Sequence, residues 1–320
     1  MREADVLVDP VLEELENDLA EIRVAALGGG HGLAGALRAV RHYAGDVTAI
    51  VTVADDGGSS GRLSPALEIP PPGDIRMALL ALSPEGTTWR DLMEYRFEES
   101  DVAGHSLGNL IIAALANLSG SFEEALDRLG RLLETQGTVL PAAPVPLILE
   151  ADVDGKVVSG QVAIARSRGE ITDVRVVPGD VRTGERVTAA LSAADQIVLG
   201  PGSLFTSVIA GLRVPGVAEA VNQAAGRLVY VCNLTTQDGE TLGMSGAAHV
   251  DALTGIGGVR VPDALVVHEG ALRIPDGLTA VTFADAPRAI DVVRADVADP
   301  AAEWPQHDPA RLGAVLRRLA

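Results

Sequence analysis

The chain has 320 residues, a formal net charge of −19 and a single cysteine, Cys232. This length suits one large α/β domain or two small ones. The acidic balance argues against a nucleic-acid backbone as the main partner, and one cysteine excludes an intramolecular disulfide. Since no apolar stretch reaches membrane-spanning length and the N-terminus lacks a signal-peptide layout, we expect a cytoplasmic protein without a membrane span.

The N-terminal segment 1–21 is acidic. Apolar side chains recur within it at helical spacing, at Val11, Leu12, Leu15 and Leu19. We predict a solvated helix that packs against the domain or a partner.

A glycine turn joins the first predicted strand, 23–27, to the first predicted helix, 33–43. Glycines let a ligand approach the backbone amides closely, and a helix N-terminus offers unpaired N–H groups and the positive end of its dipole. The turn therefore favours phosphate binding, and a purely structural turn is the alternative. It consists of Gly28, Gly29, Gly30, His31 and Gly32. Residues 30–35 also match the dinucleotide fingerprint G-x-G-x-x-G.

A second strand, predicted over 47–53, completes a βαβ unit and ends in Asp55 and Asp56. Ligands of α/β sheets bind beyond the carboxyl ends of strands, and carboxylates suit Mg²⁺ or sugar hydroxyls. The alternative is an ordinary Asp-Gly turn. Successive strand residues point to opposite faces, so the two carboxylates share a site only if the chain bends after them.

Three later residues are candidates for helix caps or for catalysis. Asp74 follows a run of prolines and is predicted to cap a helix over 75–82, from which it could also reach a ligand. Ser106 fits the G-x-S-x-G nucleophile elbow, but no apolar strand precedes it, which favours an N-cap. Ser59 fits the same pattern after a strand, although Pro65 argues against an immediate helix.

The second half of the chain contains a further strand–glycine turn–helix pattern. The strand 196–199 precedes a second glycine turn at 200–203, in which Ser203 is the expected N-cap. Two such turns in one sheet favour a diphosphate or nucleotide ligand. Alternating residues at about 145–178 predict an inserted antiparallel β-meander. Strands over 228–232 and 264–267 follow, and Asn233 lies at a strand's carboxyl end.

These patterns predict an α/β fold: a Rossmann-like, doubly wound, mostly parallel sheet with an inserted antiparallel β-meander. We expect a single nucleotide-binding domain over 22–275. Patterning weakens after about Pro275, so we expect 276–320 to be a weakly patterned tail that ends in a basic helix.

Six segments occur in one order and resemble a known family. They are GGGHG at 28–32, TVADDGGSSGRL at 52–63, PPGDIR at 71–76, GHSLGN at 104–109, LGPGSLFTS at 199–207 and the polar run at 232–241. The chain is similar to the bacterial gluconeogenesis-factor proteins, which are related to 2-phospho-L-lactate transferase. The resemblance covers roughly residues 22–270.

The resemblance implies a cytoplasmic, regulatory protein that binds a UDP-sugar such as UDP-N-acetylglucosamine, without established turnover. It also implies a role in cell shape and wall synthesis during growth on gluconeogenic carbon. We expect a homo-oligomer with a protein partner in cell-wall regulation. Mg²⁺ is the one cofactor that the resemblance implies.

Site residues carry over by position. The first turn, with Gly200, Gly202 and Ser203 of the second, would cradle the diphosphate, and Asn233 would orient the nucleotide. His31 stands where many relatives have threonine, and an imidazole can donate one hydrogen bond there. The sugar or metal side would be lined by Asp55, Asp56, Ser59, Ser60, Asp74, Arg76 and Asn109, with Asp55 and Asp56 as the metal ligands.

Three alternatives remain open. A Mg²⁺-dependent transferase resembling 2-phospho-L-lactate transferase would use the same loops. A dinucleotide oxidoreductase would use Gly30 to Gly35, but the acidic residue expected about twenty positions later is missing. A serine hydrolase at Ser106 or Ser59 ranks last.

Overall fold

The computed structural model describes residues 22–283 and 290–320. The helix predicted over 1–20 lies outside the described residues.

Seven parallel strands form the main sheet, in the order β10-β9-β8-β7-β1-β2-β3. They are β1 (Arg23–Gly28), β2 (Asp46–Val51), β3 (Thr138–Pro141), β7 (Gln196–Leu199), β8 (Arg227–Val231), β9 (Ala264–His268) and β10 (Asp291–Ala295). Strand order turns back at β1: β2 lies on one side and β7 on the other. Ligands of doubly wound sheets bind at such a switch point.

Helices cover the sheet. They are α1 (Gly30–Val40), α2 (Gly58–Leu67), α3 (Pro72–Leu82), α4 (Thr88–Glu94), α5 (Leu107–Leu118), α6 (Phe122–Leu132), α7 (Gln161–Ala165), α8 (Glu185–Ala193), α9 (Ala210–Leu212), α10 (Val217–Gln223), α11 (Gly246–Gly255) and α12 (Pro309–Arg317). A turn of π-helix, Leu204–Ile209, runs directly into α9.

The central strands are buried on both faces, as their composition requires. Every residue of β7 is buried, as are five of the six in β1. Strands covered by helices on both sides carry continuous apolar runs rather than alternation. The predicted Rossmann-like α/β sheet is confirmed.

The inserted meander is a separate antiparallel sheet in the order β5-β4-β6. Its strands are β4 (Ile148–Val153), β5 (Lys156–Ser159) and β6 (Ile171–Val177), and α7 lies between β5 and β6. Asp154 and Gly155, a pair typical of tight hairpins, join β4 to β5 with positive φ. The insertion is attached to the main body partly through Ile164 of α7, which is fully buried.

The segment after 275 is not a tail, which corrects our expectation. β10 extends the main sheet by pairing in parallel with β9, and the predicted terminal helix, α12, packs on α1 with Leu312 and Leu316 fully buried. The hydrophobic pattern did not predict β10, because an edge strand is half exposed. β10 accordingly carries Asp291 and Arg294 among its valines.

The first two helices differ from expectation. α1 begins at Gly30, three residues early, so that His31 and Gly32 lie in its first turn. α2 forms despite Pro65, because this proline lies in the last turn, where only one backbone hydrogen bond is lost. Within the described residues, no single helix is long and apolar enough to cross a membrane; one bent pair of shorter helices passes that test only when joined.

Candidate functional site

The first glycine turn presents open backbone amides. Gly29 precedes α1 and has no capping side chain, so the N–H groups of the first helical turn have no acceptor within the helix. The Gly30 N–H donates to the carboxylate of Asp74. The amides of His31 and Gly32 remain, and no described group accepts from either. This is the helix end for which the sequence predicts anion binding.

The two glycine turns touch each other. A Cβ atom on Gly32 would lie 2.2 Å from the carbonyl oxygen of Pro201 and 2.5 Å from Cα of Gly202. Only glycine allows this approach. Both turns line one cavity of about 240 Å³ at the carboxyl edge of the sheet, together with Asp55, Asp74 and Gln161.

The second turn has few amides left for a ligand. The Gly200 N–H donates to the Leu27 carbonyl (3.1 Å), Pro201 has no N–H, and the Gly202 N–H donates to Asn233 Oδ1 (2.9 Å). Asn233 Nδ2 donates in return to the Gly202 carbonyl (2.8 Å). Asn233 therefore holds the turn, and its side-chain amide is largely occupied there.

A buried carboxylate closes the helix end beyond the second turn. Glu240 Oε2 accepts from the N–H groups of Phe205 (3.1 Å) and Thr206 (3.2 Å), and Oε1 accepts from the Thr206 hydroxyl (2.6 Å). Burial raises the pKa of Glu240, and these hydrogen bonds oppose the rise. Ser203, the expected cap, makes no capping bond, because Glu240 does so instead.

The expected pair of Asp55 and Asp56 is not formed. Asp55 lines the cavity, whereas Asp56 Oδ1 accepts the N–H of Val162 in α7 (2.9 Å). Asp74, rather than Asp56, is the second carboxylate that lines the cavity. It lies in the first turn of α3 rather than at its cap, because the helix already starts at Pro72. Burial, and then the charge of Asp55, raise the pKa of Asp74 to about 7.

The remaining predicted residues support this wall from behind and do not line the cavity. Ser60 Oγ accepts the Gly73 N–H (3.0 Å), and Arg76 Nε donates to Asn109 Oδ1 (3.1 Å). The buried hydroxyl of Ser59 lies 2.9 Å from Nδ1 of His105. Burial, then Arg62 and Arg96, lower the pKa of His105.

Ser106 is an N-cap, as predicted. Its hydroxyl is fully buried and accepts the Asn109 N–H at 3.1 Å. An attacking hydroxyl needs access to substrate, so this burial speaks against a hydrolase centred on Ser106.

Several cavity residues escaped sequence reasoning. Thr52 and Thr206 donate to protein acceptors, and Gln237 bridges Asn233 and Ser203. Gln161 and Ser207 line the cavity, and within residues 22–283 and 290–320 their side chains have no hydrogen-bond partner. Except for Gln161, which is in the insertion, these residues lie in the segments that carry the family resemblance, but their residue types alone do not mark them as cavity residues.

A larger cavity of about 480 Å³ adjoins the first and shares His31, Gly32, Gly202 and Gln237 with it. Trp304, from the C-terminal segment, and Arg38 of α1 also line this second cavity. In the part of the chain that the structure describes, Arg38 has no carboxylate partner within 4.0 Å. Burial, followed by Arg90, lowers its pKa.

Among the described residues, no group of three or more His, Cys, Asp or Glu side chains is arranged to hold a metal ion. Asp55 and Asp74 are the carboxylates at the cavity. Proteins commonly hold Mg²⁺ by one or two carboxylates together with substrate phosphates, so this pair fits such an ion.

Fold and site together define an α/β protein of the Rossmann-like class with a cavity at the switch point of its sheet. Residues 24–299 match the family of 2-phospho-L-lactate transferase CofD, and the chain belongs to that family. This confirms the resemblance seen in the sequence.

Named relatives are similar over most of their length. The gluconeogenesis factor of Bacillus subtilis strain 168 is 43% identical over 84% of this chain and 85% of its own. That of Halalkalibacterium halodurans is 42% identical over 77% of each chain. The crystal structure of protein BH3568 from Bacillus halodurans superposes with a TM-score of 0.86 at 35% identity, covering 92% of this chain and 99% of that one.

Proposed function

We propose that this protein is a gluconeogenesis factor that binds a nucleotide sugar such as UDP-N-acetylglucosamine. In this proposal it acts in the cytoplasm as a regulator of cell shape and wall synthesis during gluconeogenic growth. A homo-oligomer and a protein partner that receives the signal belong to the same proposal. The observation that carries the binding function is the pair of open amides, His31 and Gly32, at the switch point between β1 and β7.

In this proposal the phosphates of the ligand bind to those two amides and to Arg38. A helix N-terminus favours an anion by about 0.3–1 kcal/mol when exposed, which is modest in a chain of net charge −19. An additional cation is therefore needed, and Arg38 lines the second cavity with no described carboxylate within 4.0 Å. A diphosphate between the two cavities would meet both groups.

The two cavities suit the two ends of such a ligand. Trp304 gives the larger one an aromatic surface for a nucleobase. Asp55 and Asp74 repel a further phosphate but accept hydrogen bonds from hydroxyl groups, so they suit a sugar. The larger cavity would then take the nucleoside, and the smaller one the sugar.

One observation favours a second candidate, a Mg²⁺-dependent transferase resembling 2-phospho-L-lactate transferase. Asp55 and Asp74 line the cavity together, and burial, followed by the charge of Asp55, raises the pKa of Asp74; a divalent ion held by this pair would offset that charge repulsion. In that case Mg²⁺ would polarise the phosphates, and the chain's own residues would orient the acceptor hydroxyl.

Calorimetry with purified protein tests both proposals. The panel is UDP, UDP-N-acetylglucosamine, UDP-glucose, GDP and NAD, each with Mg²⁺ and with EDTA, followed by chromatography of the mixtures. We expect saturable binding of UDP-sugars and recovery of intact ligand. The same incubation with a deazaflavin acceptor tests group transfer.

The outcomes separate the candidates. Metal-dependent release of a nucleoside phosphate supports the transferase and overturns the purely regulatory proposal. Binding of NAD in preference to every UDP compound would contradict both.

A further inference from the structure

The antiparallel insertion reaches the ligand cavity at one point, Gln161. This residue is the first of α7 and the only cavity-lining residue that the insertion contributes within the described part of the chain. Its side-chain amide is half-buried and has no described partner, so it offers both a donor and an acceptor at the cavity.

Asp56 connects the loop between β2 and α2 to α7. Its Oδ1 accepts the N–H of Val162, the residue next to Gln161, across 106 positions of sequence. This is the geometry of a carboxylate that binds an open amide at a helix start. Asp56 does not line the cavity, so it can influence a ligand only through the segment that it holds.

α7 has a second anchor, which makes the role of Asp56 testable. Ile164 is fully buried in the core, so loss of the Asp56 bond frees the start of α7 without detaching the insertion. The position of Gln161 should therefore respond to Asp56 while the fold remains.

We propose that Gln161 binds the hydroxyl-bearing end of the ligand and that Asp56 is a positioning residue that orients it. This rests on the proposed function and deepens it, because it assigns the insertion to sugar selectivity. An amide beside Asp55 and Asp74 suits a polyhydroxylated group: hydroxyls donate to the carboxylates and exchange both kinds of hydrogen bond with Gln161. A second phosphate is disfavoured there by the two carboxylates.

The first test compares a UDP-sugar with UDP alone, by calorimetry on the full chain. Gln161→Ala should weaken UDP-sugar binding about two- to tenfold, the value of one hydrogen bond, and leave UDP binding unchanged. Gln223→Ala, which removes an exposed glutamine at the end of α10, serves as the matched control. Equal loss for UDP and UDP-sugar would overturn the assignment of Gln161.

The second test separates positioning from direct contact. Asp56→Ala should weaken UDP-sugar binding by no more than Gln161→Ala does, and the double variant should be no weaker than Gln161→Ala. Asp56→Asn keeps the acceptor oxygen and should restore wild-type affinity. Asp101→Ala, with the same change in net charge at an exposed turn, controls for charge.

Two results would refute the positioning role of Asp56. Additive losses in the double variant would show that Asp56 acts independently of Gln161. Failure of Asp56→Asn to restore affinity would show that the charge itself is required, as for a metal ligand.

Amide hydrogen exchange gives a readout that needs no ligand. Protection of the Val162 amide should fall in Asp56→Ala and persist in Asp56→Asn. If wild-type protein binds no UDP compound, the proposed function fails and the Gln161 assignment fails with it, but the exchange result still decides whether Asp56 holds α7.

Discussion

The two glycine turns look alike in sequence and differ in how their amides are used. Each follows a buried strand and precedes a helix. At the first turn, the amides of His31 and Gly32 are open. At the second, Asn233 takes the Gly202 amide and Glu240 takes those of Phe205 and Thr206, and no described group accepts from Ser203 or Leu204. A strand–glycine–helix pattern thus predicts where an anion site can form, and distant side chains decide how many of its amides stay open.

The largest expected effect comes from separating the turns. In Gly32→Ala the new methyl group would meet the Pro201 carbonyl at 2.2 Å, and neither backbone can yield easily. Loss of two amide contacts to a charged group is worth about 3 kcal/mol or more, so UDP-sugar affinity should fall by about 100-fold or more. Calorimetry measures this loss.

Gly255→Ala is the control for that substitution. It adds a methyl group at the end of α11, where nothing lies within 4 Å. Wild-type affinity in Gly32→Ala would mean that contact between the turns is irrelevant to binding.

The next effect is on stability, at the helix end that follows the second turn. Glu240→Ala leaves two buried amides and the Thr206 hydroxyl without their acceptor, which should lower the free energy of unfolding by about 2–3 kcal/mol. Glu240→Gln keeps an acceptor oxygen and should cost about 1 kcal/mol. Urea denaturation measures both, with Glu269→Ala as an exposed control.

The same variant sharpens the comparison between the turns. Once Glu240 is removed, the second helix end should bind inorganic pyrophosphate more tightly than wild type does. Unchanged stability in Glu240→Ala would show that the carboxylate does not satisfy these amides.

A smaller effect should appear with pH. Because the pKa of Asp74 is raised to about 7, this carboxylate is mostly neutral at pH 6 and ionised at pH 8. Ionisation places a negative charge beside the first turn, which should weaken binding of an anionic ligand by about 1 kcal/mol, roughly fivefold. Calorimetry of a UDP-sugar in EDTA buffer measures this, since its diphosphate diester does not titrate in that range.

Asp74→Asn should abolish this pH dependence of binding, and the same slope in that variant would contradict the assignment.

The raised pKa of Asp74 also fixes the sign of the pH dependence of stability. An unfolded Asp titrates near 3.9, so between about pH 4 and pH 7 the folded state holds more protons, and the free energy of unfolding falls as pH rises. Asp74→Asn should therefore be stabilising at pH 8 and neutral below pH 4.

The smallest effect is expected at the larger cavity. The chain has two tryptophans, and only Trp304 lines this cavity. Because Trp304 is 63% exposed, its contact with a base should contribute about 0.5 kcal/mol, and Trp304→Ala should weaken UDP binding about twofold.

Fluorescence titration checks this prediction directly. UDP should quench wild-type emission and that of Trp89→Ala, but not that of Trp304→Ala. Quenching that depends on Trp89 would place the base elsewhere.

The sequence predicted the fold better than it predicted the site. The strand over 196–199 was located by its apolar residues alone, because burial on both faces leaves a strong local signal. β10 has no such apolar signal, since an edge strand is half exposed. The direction of Asp56 toward Val162 and the capping by Glu240 depend on residues far apart in the chain. Local patterns contain no information on such pairings.

The contact between Gly32 and Pro201 also has a consequence for how the protein matures. The two halves of the cavity wall come from segments far apart in the sequence, and β7, the fourth main-sheet strand in chain order, must dock beside β1 before the turns meet. A nascent chain that stops short of β7 therefore has the first turn but no enclosed cavity. The cavity is thus enclosed only after β7 has paired with β1, and a ligand bound in it would stabilise only a chain in which the two turns have met.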